Sequence, residues 1–211
     1  MLDKQTKLIQ KKYDRFSRFY DLFESVFEKN LYGKWRKDLI GDIKGRILEV
    51  GIGTGKNLSY YNKDAKVIGI DISPKMLEKA KMRQKGFEKN ITLIQMDAQD
   101  MQFEDNSFDY VVCTFVFCSV PDPIKVLKEM KRVCKKNGRI LMIEHMLSEH
   151  KIIAFFEHIH NPIMRALFGF NINRRTVENI KKSGLEIYRI KNLFFFDVFR
   201  KIEIINYNKI A

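Results

Sequence analysis

The segment Ile47-Leu-Glu-Val-Gly-Ile-Gly-Thr-Gly55 reads as a buried strand running into a glycine-rich turn and then a helix. Gly51 permits the tight turn, and Gly53 lets a ligand approach the backbone with no side chain in the way. The helix that follows presents unpaired N–H groups. Asp71 ends the second strand-like run, 20 residues after Gly51, where a carboxylate can hold ribose hydroxyls. Asp97, beside Ala98 and Gln99, ends the third, at the next position along the same edge. Either aspartate alone could be a helix cap. Taken together with the glycine loop, they converge on one cleft at the carboxyl ends of parallel strands.

Two residues narrow the ligand. The dinucleotide fingerprint G-x-G-x-x-G fails at position 56, which is Lys. Glu49, one residue before the strand's end, would repel a pyrophosphate but suits a cationic sulfonium amino acid. That favours S-adenosylmethionine over a dinucleotide. His145 ends the fifth strand on the cleft edge, and an imidazole with a pKa near ~6.5 can take a proton from an acceptor amine or thiol. It reads equally as a satisfied polar residue capping a strand. Cys113 and Cys118 lie in an apolar strand region and read as small core hydrophobes. The three cysteines lack CxxC spacing, and His158 and His160 lack metal partners at recognisable spacing, so neither a disulfide framework nor a metal is expected.

These residues need a scaffold that lines up strand ends. Short β-rich runs at Arg46–Val50, Lys66–Ile70, Ile91–Gln95, Phe108–Cys113 and Arg139–Ile143 alternate with helical stretches, about 74–85 and 122–135. This alternation implies right-handed crossovers and a doubly wound, parallel α/β sheet. Ser73-Pro74 marks a helix start, and Gly138 is placed to stop the second helix. Residues 8–32 carry Ile9, Tyr13, Phe16, Tyr20, Phe23, Phe27 and Leu31 at helical spacing, with Lys7, Lys11, Lys12, Arg15 and Arg18 off that stripe. Residues 151–170 are helical in tendency but broken at Pro162. Asn173 is expected to cap a short helix ending at Gly184, and Leu185–Lys191 with Val198–Asn206 to form a terminal hairpin.

The 211 residues suffice for one sizeable domain, 45% apolar and 31% charged, hence globular. No apolar run approaches the roughly 20 residues of a membrane span, and the amino terminus is too polar for a signal peptide, so a cytoplasmic location is expected. The net charge of +13 is uneven: residues 1–40 carry +4, residues 41–121 zero and residues 122–211 +9. Basic ends around a neutral middle suggest an anionic partner such as a membrane surface or nucleic acid, or simply a lysine-rich solubility bias. The aromatic residues sit at core-like spacing and are not interleaved with basic ones, which disfavours nucleic acid.

LEVGIGTGKN, VIGIDISPKMLEKA, MDAQDMQFEDNSFDYVV and VLKEMKRVCKKNGRILMIEH resemble, in order, the successive motifs of class I S-adenosylmethionine-dependent methyltransferases. The resemblance covers roughly residues 13–200. It implies a Rossmann-like, mostly parallel seven-stranded sheet with an antiparallel final strand. It also implies that Glu49 and the loop Gly51, Gly53 and Gly55 serve the methionine end, Asp71 the ribose, and Asp97 with Ala98 the adenine. Ile72 and Met76 would pack near the adenosine, and Thr114 and Phe115 would line the sulfonium and acceptor side. YDRFSRFYDLFE resembles the amino-terminal helix of phosphatidylethanolamine N-methyltransferases and ubiquinone/menaquinone C-methyltransferases, in which this helix closes over the cofactor. Tyr13 and Tyr20 would then face the cofactor carboxylate, although their spacing also fits core packing. VVCTFVFCSV, EH and NRRTVENI look more like small-molecule thiol methyltransferases. The [DN]-P-P-[YF] motif of nucleic-acid enzymes is absent; Thr114-Phe-Val-Phe117 stands there. The expectation is a single, monomeric, metal-free domain with a helical lid (1–40), a cofactor core (41–145) and an acceptor side (146–211). Its acceptor is a small apolar or membrane-held molecule. A lipid amine is favoured narrowly over a quinol carbon or a thiol, with peripheral contact to an anionic membrane.

Overall fold

Strands form where β-branched and aliphatic residues run without interruption, and the two faces of each strand then have to be covered separately. A computed structural model describes residues 3–27, 31–85 and 90–207; for residues 16–27 the description covers the backbone only. Seven strands make one sheet in the order β3-β2-β1-β4-β5-β7-β6. They are β1 (Gly45–Val50), β2 (Ala65–Asp71), β3 (Ile91–Gln95), β4 (Phe108–Thr114), β5 (Cys134–His145), β6 (Ile187–Phe194) and β7 (Phe199–Ile205). β3-β2-β1-β4-β5 pair in parallel, whereas β7 runs antiparallel to both β5 and β6. This is the doubly wound, Rossmann-like sheet with an antiparallel terminal strand.

Alternate residues of the central strands feed two cores. Leu48, Val50, Val111, Cys113, Ile140 and Met142 pack on one face with α4 (Pro123–Val133) and α6 (Thr176–Lys182). Ile47, Val112, Leu141 and Ile143 pack on the other with α2 (Gly33–Ile40), Tyr61 and Leu77 of α3 (Pro74–Gln84). Burial on both faces explains why these strands read as continuous apolar runs. Truncating a fully buried member such as Leu127 to Ala costs about 2–5 kcal/mol.

α3 and α4 start where expected. Ser73 Oγ accepts from Met76 N and Asp122 Oδ1 accepts from Ile124 N and Lys125 N, each cap being followed by proline. Four expectations fail. The glycine-rich turn after β1 does not lead into a helix with free N–H groups; only a three-residue 3-10 turn, Leu58–Tyr60, stands before β2. Gly138 does not stop α4; that helix ends at Val133, and the chain enters β5 at Cys134 with a shifted register. Asn137 takes the left-handed conformation, and Gly138 lies where a Cβ would come within 2.9 Å of Asp109 O. Pro162 does not break its segment: α5 runs unbroken from Lys151 to Leu167. Asn173 does not cap α6, which starts after Arg175; its side-chain amide instead lies 3.0 Å from His158 Nδ1.

The amino-terminal helix α1 (Lys4–Phe27) lies across the carboxyl edge of the sheet and is tied there by polar contacts. Gln10 Nε2 donates to Ile72 O (3.1 Å), Ser73 Oγ donates to Asp14 (2.5 Å), and Lys12 Nζ donates to Arg165 O (2.7 Å) on α5.

Candidate functional site

The turn after β1 opens at the middle of the sheet edge, and two glycines there have different tasks. Gly51 (φ 69°) lets the loop after β4 pack close: a Cβ there would stand 2.4 Å from Val116 Cγ2. Gly53 (φ 57°) faces open space, since a Cβ there would meet nothing within 4 Å. Asp71, at the end of β2, holds this turn. Its Oδ2 accepts from Gly53 N (2.8 Å) and its Oδ1 from Ser73 N (2.9 Å). Burial pushes its pKa up to about 6, against the pull of those backbone bonds.

A buried polar chain backs the turn. Arg36 of α2, 5% exposed, donates from Nη1 to Asn57 Oδ1 and to Thr114 Oγ1, both at 2.8 Å. Asn57 Nδ2 donates to Glu49 Oε1 (2.8 Å), and Tyr61 Oη donates to Glu49 Oε2 (2.8 Å). Burial raises the Glu49 pKa to about 7, while Tyr61, Asn57 and the Arg36 charge pull it down. Tyr61 is pushed well above its ordinary value by the same burial. The result is a carboxylate that half-ionises near neutrality, held behind a guanidinium that faces the cleft.

The cleft spans about 920 Å³ of space between atoms, open solvent at its mouth included. Gly51, Gly53, Asp71, Ile72, Met76, Asp97, Ala98, Gln99, Arg36 and Thr114 line it, with Phe115, Val116, Ser119 and Val120 on one side. Thr6, Ile9 and Tyr13 of α1 cover it. Gln99 joins lid to sheet, donating from Nε2 to Thr6 Oγ1 (2.9 Å) while its Oε1 accepts from Asp122 N (3.1 Å).

The loop after β4 is positioned by an acid in β5. Glu144, fully buried, accepts from Val116 N (3.0 Å), Phe117 N (3.2 Å) and Cys113 Sγ (3.2 Å). These bonds hold Phe115 in a left-handed conformation (φ 59°), with the Arg36 guanidinium 5.3 Å from its ring centre. Burial lifts the Glu144 pKa to about 7 and the Cys118 thiol to about 12, so at neutral pH that cysteine is a protonated core group and no nucleophile.

The structure therefore brings Tyr13, Gly51, Gly53, Asp71, Ile72, Met76, Asp97, Ala98, Thr114 and Phe115 to one cleft. It does not bring Glu49, Gly55 or His145 to the cleft wall. Glu49 lies behind Asn57 and Tyr61, where the strand's alternation points it under the turn. A Cβ at Gly55 would meet Leu58 and Ala80, so that glycine lets the turn pack on α3. His145 turns toward the segment after α5: its Nε2 is 3.0 Å from Ile172 O, and its ring lies 6.1 Å from Phe199. Burial drops its pKa to about 4, leaving it neutral at pH 7. Tyr20 lies outside the residues whose side chains are described. The roles of Arg36, Asn57, Gln99 and Thr6 were not legible, although Asn57 and Gln99 stand inside recognised motifs. Arg36 sits in a short helix without any motif.

Residues 48–142 match a protein family described as "Methyltransferase domain". The chain is 42% identical over 115 residues to a phosphatidylethanolamine N-methyltransferase of Cereibacter sphaeroides, covering 54% of this chain and 57% of that protein. It is 35% identical over 152 residues to a demethylmenaquinone methyltransferase of Bacillus mycoides (strain KBAB4), covering 68% of this chain and 63% of the relative. The matches thus span less than two thirds of these curated relatives. Among solved structures, a possible histamine N-methyltransferase of Thermotoga maritima superposes with a TM-score of 0.68 at 20% identity, over 90% of this chain and 98% of that one. That likeness concerns the fold.

Proposed function

We propose that this chain, whose residues 48–142 belong to the methyltransferase domain family, transfers a methyl group from S-adenosylmethionine to a small apolar or membrane-held acceptor. The observation that carries this reading is the convergence of the Gly51–Gly53 turn, Asp71 and Asp97 on one cleft with open space above Gly53. The residues present suit the cofactor chemically. Asp71 offers carboxylate acceptors to ribose hydroxyls. Asp97, Ala98 and Gln99, with Ile72 and Met76, offer a polar edge and apolar faces to a purine. Arg36 can meet a carboxylate, and Glu49 behind it supplies compensating negative charge for an ammonium and a sulfonium. When bound, the cofactor supplies a methyl group made electrophilic by its sulfonium.

What the chain contributes is alignment and the exclusion of water. α1 covers the cleft through Thr6, Ile9 and Tyr13, and Glu144 fixes the loop carrying Phe115 and Val116, whose apolar wall lies beside Thr114. An amine acceptor releases one proton in the course of methylation. The lining side chains with a carboxylate to take it are Asp71 and Asp97, both engaged in holding the turn and Gln99.

Within this reading a phospholipid amine is the favoured acceptor, supported by the 42% identical relative named for phosphatidylethanolamine. A quinol carbon is the second reading, supported by the 35% identical relative named for demethylmenaquinone. The test is methyl transfer from labelled S-adenosylmethionine into phosphatidylethanolamine vesicles, demethylmenaquinol and a small alkyl thiol, side by side. Label is expected in the phospholipid. Label only in the quinol moves the function to the second reading, and label in none of them overturns the proposal.

A further inference from the structure

Helix α5 reverses the ordinary arrangement of an amphipathic helix. Its one buried residue is an acid, Glu157, whereas Ile152, Phe155, Phe156, Ile159, Ile163 and Leu167 are each more than half exposed. Steps of three and four place them on one stripe. Among the described residues, none of α5 belongs to either apolar core.

A second exposed apolar group adjoins it. The turn between β6 and β7 presents Phe194, Phe195 and Phe196, at 49%, 53% and 65% exposure. Phe195 (φ 47°) and Phe196 (φ 57°) both hold left-handed conformations, which bulky side chains avoid. The ring of His150, just before α5, lies 5.1 Å from Phe196, so the start of α5 meets the turn. Beneath them a polar knot locks the two elements. Glu157 Oε2 accepts from Ser148 N (2.9 Å), and Asp197 accepts from Ser148 Oγ, Glu149 N (2.7 Å) and Arg200 Nη2 (2.7 Å). An inside-out helix and a strained aromatic turn both cost stability in water, and the knot maintains both.

The surrounding charge indicates what covers them. Residues 150–199 contain 8 basic and 4 acidic side chains, and two of the acids, Glu157 and Asp197, point inward. Lys151, Arg165, Arg189 and Lys191 are exposed. The segment after α5 also reaches the loop that follows β4. Asn171 N donates to Cys118 O (2.7 Å), and Arg174 donates to Phe117 O (2.8 Å) and Val120 O (2.9 Å), so the segment after α5 packs on the loop that walls the cleft. No helix of the described residues is long and apolar enough to cross a membrane.

We propose that α5 and the Phe194–Phe196 turn form one docking surface for an anionic lipid bilayer, with the apolar stripe and aromatic turn in the headgroup region and the flanking cations on the phosphates. This rests on the reading that the acceptor is held in a membrane, and it places the docking surface on α5 and the turn. The basic face of α1 is then secondary, since Lys12 is already committed to the end of α5.

The experiment is co-sedimentation of the full chain with phosphatidylcholine vesicles, with and without phosphatidylglycerol, at low and high salt. Binding is expected with phosphatidylglycerol at low salt and should fade at high salt. The double variants Phe195→Ser/Phe196→Ser and Ile152→Ser/Phe155→Ser should each weaken binding at least about tenfold, with thermal midpoints held. Neutralising Lys11 and Arg15 should matter less. The proposal is overturned if the wild type ignores anionic vesicles at low salt, if both double variants bind like it, or if the α1 variant alone abolishes binding. A dimer in sedimentation equilibrium that the Phe195/Phe196 variant dissolves would also overturn it, giving the face to a second copy. Calorimetry with S-adenosylmethionine on the same preparations separates the two readings: lost vesicle binding with intact cofactor affinity overturns only the docking surface.

Discussion

The carboxyl edge of β1, β2 and β4 and the outer face formed by α5 and the β6–β7 turn obey opposite rules. At the strand edge, polar groups are buried and partnered: Arg36, Asn57, Thr114, Glu49 and Tyr61 form one hydrogen-bonded chain, and Asp71 pins the turn beneath an open cleft. On the outer face the acids Glu157 and Asp197 are buried while aromatic and branched side chains stand in water. Buried polar networks fix geometry because every broken bond leaves a desolvated group. An exposed apolar stripe fixes nothing in the fold and gains only when something covers it. One region is therefore built to hold a small ligand, the other to meet a surface. His145 belongs to neither region: it is half-buried and faces Ile172 and Phe199.

The largest effect is expected at Asp71. Replacing it with Ala removes the acceptor for the cofactor's hydroxyls and frees Gly53 N and Ser73 N, which should weaken S-adenosylmethionine binding by about 1.5–3 kcal/mol in calorimetry. Unchanged affinity would break the assignment of this edge to the nucleoside. Next comes stability. Gly51→Ala puts a Cβ 2.4 Å from Val116 at a positive φ and should cost about 1–3 kcal/mol in urea denaturation, whereas Ile159→Gln on the exposed stripe should move stability by less than about 0.5 kcal/mol. Equal costs at both sites would erase the contrast.

A pH series sharpens the picture of the buried chain. Burial holds the Glu49 carboxyl near 7, so it gains its charge between pH 6 and 8, and a cationic ligand should bind up to about tenfold tighter at the upper end. Glu49→Gln should flatten that dependence. Stability runs the other way: the unfolded chain releases this proton near the ordinary value of 4.5, so the fold's advantage is full below that pH and is lost as pH rises through about 7. Affinity that instead falls with pH in the wild type, or an unflattened profile in the variant, would detach Glu49 from the ligand. The smallest effect is expected at His145: its replacement by Ala should leave turnover within about threefold, where a general base would cost about 10²-fold or more. A hundredfold loss would return His145 to the chemistry.

Much of the cleft was legible because its signals are local. A glycine at a turn, an acid at a strand end and a Ser-Pro helix start each act within a few residues, so Gly51, Gly53, Asp71, Asp97 and the starts of α3 and α4 follow from the chain alone. The same locality is silent where geometry decides direction. Glu49 and His145 both stand near strand ends, but pleating and the neighbouring segment turn one beneath the loop and the other away. Gly138 looked like a helix stop because composition cannot register the shift between β4 and β5, where Asn137 takes the left-handed position. Pro162 looked like a break, yet α5 passes through it, and that helix's facing could not be read from periodicity. A period of 3.6 residues marks an apolar stripe without saying whether protein or solvent lies against it.

The sequence by itself determined the alternation of strands and helices, the parallel sheet with its terminal hairpin, the glycine turn and the two aspartates at the sheet edge, since each depends on hydrophobic period and on backbone conformations open to few residue types. Tertiary structure decided which side chains share the cleft. Arg36 meets Asn57 and Thr114 across 21 and 78 residues of chain, and Asp197 meets Ser148 across 49. No local pattern encodes such pairs. They exist because packing buries polar groups that must then find partners wherever the fold brings them.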